Sequence, residues 1–184
     1  PKERIQVYFI DNDEYFKRKA TFSDEEGVLY PDNDERAIFF AKGVVETVKK
    51  LNWVPDVIHV HGWMASLLPV YLKHYYKDEG IFAETKIISS VYEQGFEGEL
   101  DSELLNKILF DNIEKEAVEL IEKPTYENLM KLSVMHSDAV VVGSEALSPT
   151  LTKFIESSNK PFLPFAAKDT IKEAYTSFIK NHVL

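Results

Sequence analysis

The chain lacks several residue types and patterns, and each absence excludes some classes of site or partner. None of its 184 residues is cysteine, so a disulfide framework, a thiolate metal site and a cysteine nucleophile are excluded. Lys and Arg total 21 against 31 Asp and Glu, and the net charge of −10 argues against nucleic-acid binding. No apolar run approaches the roughly 20 residues that cross a bilayer, so we expect no membrane partner.

The N-terminus carries neither an initiator methionine nor a signal-peptide pattern. We therefore expect a cytoplasmic protein, which the absence of cysteine also fits, and a piece of something longer. A hydrophobic fraction of 45% with 12% aromatic residues supplies a core of ordinary size. The length favours one domain over residues 1–184.

The most informative stretch is 55–64, where a buried strand is predicted to run into a helix. Val57, Ile58 and Val60 suit a strand covered on both faces, and residues 63–76 carry apolar side chains at helical spacing. Such strand-to-helix junctions are where α/β sheets place their ligands. This junction is the first candidate site.

Strands and helices alternate along the rest of the chain. Further strands are predicted at 5–10, 86–92 and 139–142, with an extended edge or loop at 160–165. Helices are predicted at 34–50, 126–136, 145–157 and 169–183, and two short helices at 101–122 lie in a helical excursion over about 97–136. This alternation predicts an α/β fold with a parallel sheet and helices on both faces.

Two histidines lie on one side of the central strand. His59 and His61 could bind a metal, but a third ligand is missing nearby, so we favour a hydrogen-bonded core role for His59 and a crevice position for His61. The dinucleotide fingerprint, the P-loop and the hydrolase serine elbow are all absent from the sequence. The turn at 143–145 could hold an anion, although a helix N-cap is the favoured interpretation. We expect no metal site and no cofactor.

Several motifs, in order along the chain, resemble one family. They are 8–12 (YFIDN), 15–18 (YFKR), 30–36 (YPDNDER), 55–63 (PDVIHVHGW), 68–72 (LPVYL), 128–131 (NLMK) and 137–144 (SDAVVVGS). Together they resemble the N-terminal catalytic domain of bacterial glycogen synthases and plant starch synthases. The resemblance implies a Rossmann-like sheet, the N-terminal half of a GT-B glycosyltransferase, and transfer of glucose from ADP-glucose or UDP-glucose to an α-1,4-glucan.

The chain departs from the family at two sugar-handling positions. Gly62 stands where the family's His-x-His-Asp-Trp motif has aspartate, and Tyr92 stands where the next strand of the family ends in histidine. The resemblance therefore assigns no catalytic residue. For Trp63, core packing is favoured over stacking on sugar. The substrate-binding candidates that the family resemblance implies are His61, Gly62, Trp63, Tyr92, Glu93 and Gly95.

The family's donor-side groups are also missing from the sequence. Neither the Lys-x-Gly-Gly loop nor the second domain with its basic residues is present, and charge stabilisation of the departing diphosphate is usually the dominant catalytic term. We therefore expect a one-domain, truncated relative that is inactive alone, in preference to a fragment of a working glucosyltransferase. The alternatives are a non-catalytic glucan-binding or regulatory module and a structural domain without a ligand. A protein partner or homo-oligomer stays open, with the charged segment 97–123 as either a partner surface or a solvated face.

Overall fold

Four parallel strands pair in chain order in the computed structural model, which describes residues 5–93 and 95–184. They are β1 (Val57–His61), β2 (Lys86–Val91), β3 (Ala139–Val142) and β4 (Phe162–Leu163). His61 lies beside Ser90, and Val91 lies beside Val142, so the carboxyl ends of three strands meet at one edge. The parallel sheet predicted from the sequence is confirmed.

Helices connect the strands and flank the sheet. The α-helices are α1 (Asp13–Phe16), α2 (Asn33–Lys50), α3 (Leu68–Lys73), α4 (Leu104–Phe110), α5 (Lys115–Val118), α6 (Tyr126–Met135), α7 (Pro149–Ser157) and α8 (Ile171–His182). Short 3₁₀ helices span Trp63–Ala65, Gly80–Phe82 and Glu119–Glu122. The helix predicted at 63–76 is divided, because Pro69 has no N–H to donate and is accommodated only in the first turn of α3. The two short helices predicted at 101–122 correspond to α4 and α5.

The two faces of the sheet are covered by different helices. On one face Ile87 and Val91 join a large core that includes residues of α2, α3, α6 and α7. On the other face Ile88 packs in a smaller cluster with Phe178 of α8. Helices on both faces are the arrangement that the alternation of elements predicted. No helix within the described ranges combines the length and apolar character required to cross a bilayer.

The strand predicted at 5–10 is wrong. This segment has no regular secondary structure, and Ile5 and Phe9 are 84% and 88% exposed. Alternating apolar residues indicated a strand, but a strand is stable only when its backbone is paired and its apolar face covered. The segment instead runs beside α2, where Ile10 lies so close to Gly43 that an added Cβ there would be 3.2 Å from Ile10 Cγ2.

Polar contacts attach the helical excursion to the rest of the fold. Asp111, just after α4, accepts a hydrogen bond from the Tyr71 hydroxyl at 2.7 Å and pairs with Lys42 at 2.6 Å. Lys107 of α4 pairs with Asp34 and Glu35 at the start of α2. The excursion is therefore held against α2 and α3.

Candidate functional site

Three strand ends converge at the carboxyl edge of the sheet. His61, at the end of β1, lies with its Nδ1 in a hydrogen bond 2.7 Å from the Tyr92 hydroxyl, beyond β2. The Glu93 N–H donates to the Ser144 Oγ, beyond β3, at 3.1 Å. Candidate residues that are 31 positions apart in sequence are thus brought into contact.

Tyr92 is held at several points of this edge. Its ring lies over Gly143, where an added Cβ would be 2.5 Å from Tyr92 Cε1, and its carbonyl accepts a hydrogen bond from the Tyr126 hydroxyl at 2.9 Å. Burial raises the pKa of Tyr92 above its ordinary value, so the phenol is neutral at pH 7. Tyr92 is therefore fixed in place by contacts with β1, β3 and α6.

Gly62 forms a turn that requires glycine. Its backbone has φ of 74° and ψ of 168°, a region in which residues with a Cβ are strained. Space does not impose the glycine, because no described atom outside its neighbours lies within 4 Å of an added Cβ. The backbone itself is therefore incompatible with an unstrained aspartate at this position.

Trp63 lies in the core and not on the open edge. It is only 3% exposed, and its ring packs against Phe22 and Phe96 at centroid distances of 4.8 and 5.0 Å. Gly95 approaches it closely, since an added Cβ would lie 2.5 Å from Trp63 Cδ1. Trp63 offers no open face to a sugar, and core packing is the role in which the structure places it.

A methyl group at Gly95 tests this packing. Gly95→Ala is expected to lower the free energy of unfolding by about 2 kcal/mol, because the new Cβ would overlap both Trp63 and Tyr126, at 2.5 and 2.8 Å. Urea unfolding followed by tryptophan fluorescence measures the change. Gly80→Ala is the matched control, since an added Cβ there meets no described atom within 4 Å. Equal effects of the two substitutions would contradict the prediction.

The histidines of β1 face the side of the sheet that α8 covers. His59 Nε2 is hydrogen-bonded to Ser90 Oγ at 2.8 Å, and its ring lies 4.1 Å from that of His61 and 5.8 Å from that of Tyr175. Burial, and then the nearby His61, lower the pKa of His59 to about 4, and burial lowers the pKa of His61. Both imidazoles are therefore neutral at pH 7. Within the described part of the chain, no three His, Asp or Glu side chains are grouped to hold a metal ion.

Two neighbouring clefts open beside this edge, and both are acidic. The first, of about 440 Å³, is lined by Glu93, Phe96, Glu97, Gly98, Thr125, Tyr126, Glu127, Ser148 and Leu151. The second, of about 650 Å³, is lined by Phe22, Ser23, Gly27, Val28, Leu29, Gly95, Phe96, Glu97, Gly98 and Glu99. Among the described residues neither cleft is lined by Lys or Arg, although Glu127 is paired with Lys131 at 3.1 Å. Carboxylates here can accept hydrogen bonds from hydroxyl groups and repel phosphate.

Sequence reasoning missed most of the residues that line these clefts. An isolated antiparallel β-bridge between Glu99 and Thr125 brings the 97–99 segment to the start of α6. Neither the period of apolar residues nor any motif signals that pairing. The available signal was the loop at 95–98, with a glycine at each end, a few residues after β2.

Comparison with known proteins assigns the family. The model of the starch synthase catalytic domain matches residues 1–156. The chain belongs to this family. The match includes every candidate site residue and leaves α8 outside it. The resemblance inferred from the motifs is thereby confirmed.

Individual relatives agree with the family assignment. The glycogen synthase of Chlorobaculum parvum is 33% identical over 163 residues, covering 86% of this chain and 32% of that protein. The glycogen synthase of Chlorobium phaeovibrioides is 34% identical over 154 residues, covering 83% and 31%. The chain thus spans about a third of the length of the curated relatives it matches.

A solved structure shares the fold. The catalytic domain of starch synthase IV from Arabidopsis thaliana, solved with ADP and acarbose bound, matches with a TM-score of 0.60 and 15% identity. The match covers 77% of this chain and 31% of that one. The parallel sheet and its helices therefore match part of a GT-B glycosyltransferase catalytic domain, as the motifs predicted.

Proposed function

We propose that this starch synthase family chain binds an α-glucan at the two acidic clefts and does not transfer glucose by itself. The observation that carries the proposal is the lining of the clefts, which presents Glu93, Glu97 and Glu99 and, among the described residues, no basic side chain. Transfer from ADP-glucose or UDP-glucose needs positive groups at the departing diphosphate. A neutral, hydroxyl-rich glucan needs hydrogen-bond acceptors and aromatic surface, which these clefts supply.

The two altered family positions support the absence of transfer. Gly62 has no carboxylate, and the Tyr92 hydroxyl is already bonded to His61. Neither residue can take the sugar-contacting role that the resemblance gives to aspartate and histidine. In the solved relative, ADP and acarbose are bound by a catalytic domain about three times as long as the matched part.

Family membership favours a second candidate function. The whole protein would transfer glucose, with the donor side supplied by chain beyond the third of the family's length that is present here. Both candidates predict that the isolated chain transfers no glucose, so they differ only in what happens when the remaining part of the protein is added. Incorporation of glucose on adding that part would favour the second candidate.

A glycogen affinity assay, run together with a transfer assay, tests the first candidate. We expect the chain to be retained on immobilised glycogen and released by maltooligosaccharide, and to incorporate no labelled glucose from ADP-glucose or UDP-glucose. Incorporation above the protein-free background would refute the proposed inactivity. A chain that passes unretained would refute glucan binding.

Glu97, which lines both clefts, provides the test of the binding position. Glu97→Ala is expected to weaken glucan binding about tenfold, because it removes a charged hydrogen-bond acceptor. Titration calorimetry with a maltooligosaccharide measures the affinity. Glu84→Ala is the matched control, because Glu84 is also exposed but precedes β2 at the opposite edge of the sheet. Equal affinities for the two variants would place the glucan elsewhere.

We also propose that residues 1–184 form one domain and that the protein works in the cytoplasm. Support for one domain comes from the two hydrophobic clusters, which pack on opposite faces of the same sheet. Urea unfolding followed by circular dichroism and by fluorescence should then give one coincident transition. Sedimentation of the same sample tests for a homo-oligomer.

A further inference from the structure

A basic cavity lies between residues 8–10, residues 16–22 and α2. Its volume is about 480 Å³, and Arg18, Lys19 and Arg36 contribute to its lining. Among the described residues no Asp or Glu lines this cavity, whereas the two acidic clefts are lined by Glu and by no basic side chain. In a chain with a net charge of −10, this segregation of charge makes the cavity a favourable place for an anion.

Arg36 is the buried cation of this cavity. Its side chain is only 3% exposed, with Nη1 donating to Asn33 Oδ1 at 2.5 Å and Nη2 donating to the carbonyl oxygen of Thr21 at 2.7 Å. Both acceptors are neutral, and Arg36 Nε has no hydrogen-bond partner within the described part of the chain. A guanidinium has five N–H donors, so these two acceptors leave it incompletely satisfied.

The charge of Arg36 is not balanced by an ion pair. Asp32 is close enough to act on Arg36, but both of its carboxylate oxygens already accept hydrogen bonds from Arg18, at 2.7 Å for Oδ1. Lys19 pairs with Glu25 at 3.1 Å, and both of these side chains are exposed. Burial, and then the charge of Arg18, lower the pKa of Arg36. A buried cation without a counter-ion is costly, so an anion in the cavity would stabilise this arrangement.

Apolar side chains form most of the remaining wall. The Arg36 guanidinium carbon lies 5.4 Å from the centroid of the Phe16 ring, and Phe9, Phe22 and Phe40 also line the cavity. An inorganic anion would use the charge but not this wall. A volume of about 480 Å³ is within the range of small-molecule sites, which combine a mostly apolar lining with a few polar groups.

We propose that this cavity binds a small organic oxyanion, namely a carboxylate or phosphate group carried on a ring-sized apolar body. The oxyanion accepts hydrogen bonds from the Arg36 guanidinium, and the exposed Lys19 adds positive charge on the solvent side. The apolar body packs against the phenylalanine rings of the wall, while Arg18 stays paired with Asp32. This site is separate from the acidic clefts, so its occupation does not depend on glucan binding there.

Four small probes test the site in the unmodified chain. Titration calorimetry at constant ionic strength compares phenyl phosphate and phenylacetate with inorganic phosphate, which has charge alone, and benzyl alcohol, which has a ring alone. We expect at least one of the two aromatic anions to bind about tenfold more tightly than either control. The tighter of the two identifies the anionic group that the site prefers. Aromatic anions that bind no more tightly than the controls would overturn the proposal.

Substitutions of three cations locate the binding. Arg36→Gln keeps a donor for Thr21 but removes the charge, so the tighter probe should bind about tenfold more weakly. Lys19→Gln should weaken binding about threefold, whereas Lys17→Gln, which removes another exposed lysine that lies outside the cavity lining, should leave it unchanged. Equal affinities in the two lysine variants, or parental affinity in a folded Arg36→Gln chain, would overturn the proposal. If Arg36→Gln does not fold, the exposed lysine pair decides it.

Discussion

Replacing Lys107 with methionine is expected to lower the free energy of unfolding by about 3 kcal/mol. Lys107 Nζ lies 2.7 Å from Asp34 Oδ2 and 2.8 Å from Glu35 Oε1. The Asp34 side chain is fully buried, and its Oδ1 has no hydrogen-bond partner among the described residues. Methionine preserves the apolar stem but leaves that carboxylate without a cation, and an uncompensated buried charge is strongly destabilising.

Urea unfolding at pH 7 measures this loss, and two further variants define its cause. Lys115→Met removes an exposed ion pair with Glu122, at 2.7 Å, and should cost far less stability than Lys107→Met, because water screens both charges. Adding Asp34→Asn to Lys107→Met should recover much of the stability, because the buried charge is then gone. A loss below about 1 kcal/mol for Lys107→Met alone would show that Asp34 is adequately solvated without the lysine.

Acidification from pH 7 to pH 5 is expected to cost about 2 kcal/mol of stability through His59 alone. The folded state holds the pKa of His59 at about 4, first by burial and then by the nearby His61, whereas the unfolded value is near 6.5. The unfolded chain therefore takes up the proton first. The contribution is fully present above pH 6.5 and is lost as the pH falls from 6.5 to 4. His61 and His136, whose pKa values burial also lowers, act in the same direction.

The pH dependence of unfolding in His59→Gln isolates this contribution. Glutamine can still bond to Ser90 but does not titrate, so its stability profile should be flatter than that of the parent by about 2 kcal/mol over this range. His182→Gln, which alters an exposed histidine, should reproduce the parent profile. Parallel profiles for the parent and His59→Gln would refute the assignment.

Local sequence patterns were sufficient where local chemistry decides the structure. The all-apolar run 139–142 is the strand β3, and Pro149 begins α7 behind Ser148, whose hydroxyl accepts the Leu151 N–H at 3.1 Å. The pattern failed at 5–10, because alternation does not reveal whether a neighbouring strand exists to pair with. The helical spacing of apolar residues also predicted one continuous helix across Pro69, where the structure has two separate helical segments.

The candidate site was only partly predictable, for a related reason. Parallel topology alone brings His61, Tyr92 and Ser144 to one edge, so the convergence of the strand ends could be expected. The acidic clefts depend on the pairing of Glu99 with Thr125, which is set by tertiary packing. The burial of Trp63 likewise depends on Phe22, which is 41 positions upstream and has no signature in the motif itself.

The backbone of the turn at Gly62 limits which residues can replace this glycine. With φ at 74° and ψ at 168°, any side chain there costs on the order of 1–3 kcal/mol before it makes a single contact. An aspartate could recover the family's carboxylate only together with a rerouted backbone between β1 and Trp63. The backbone conformation of the turn is therefore a constraint that favours glycine at this position.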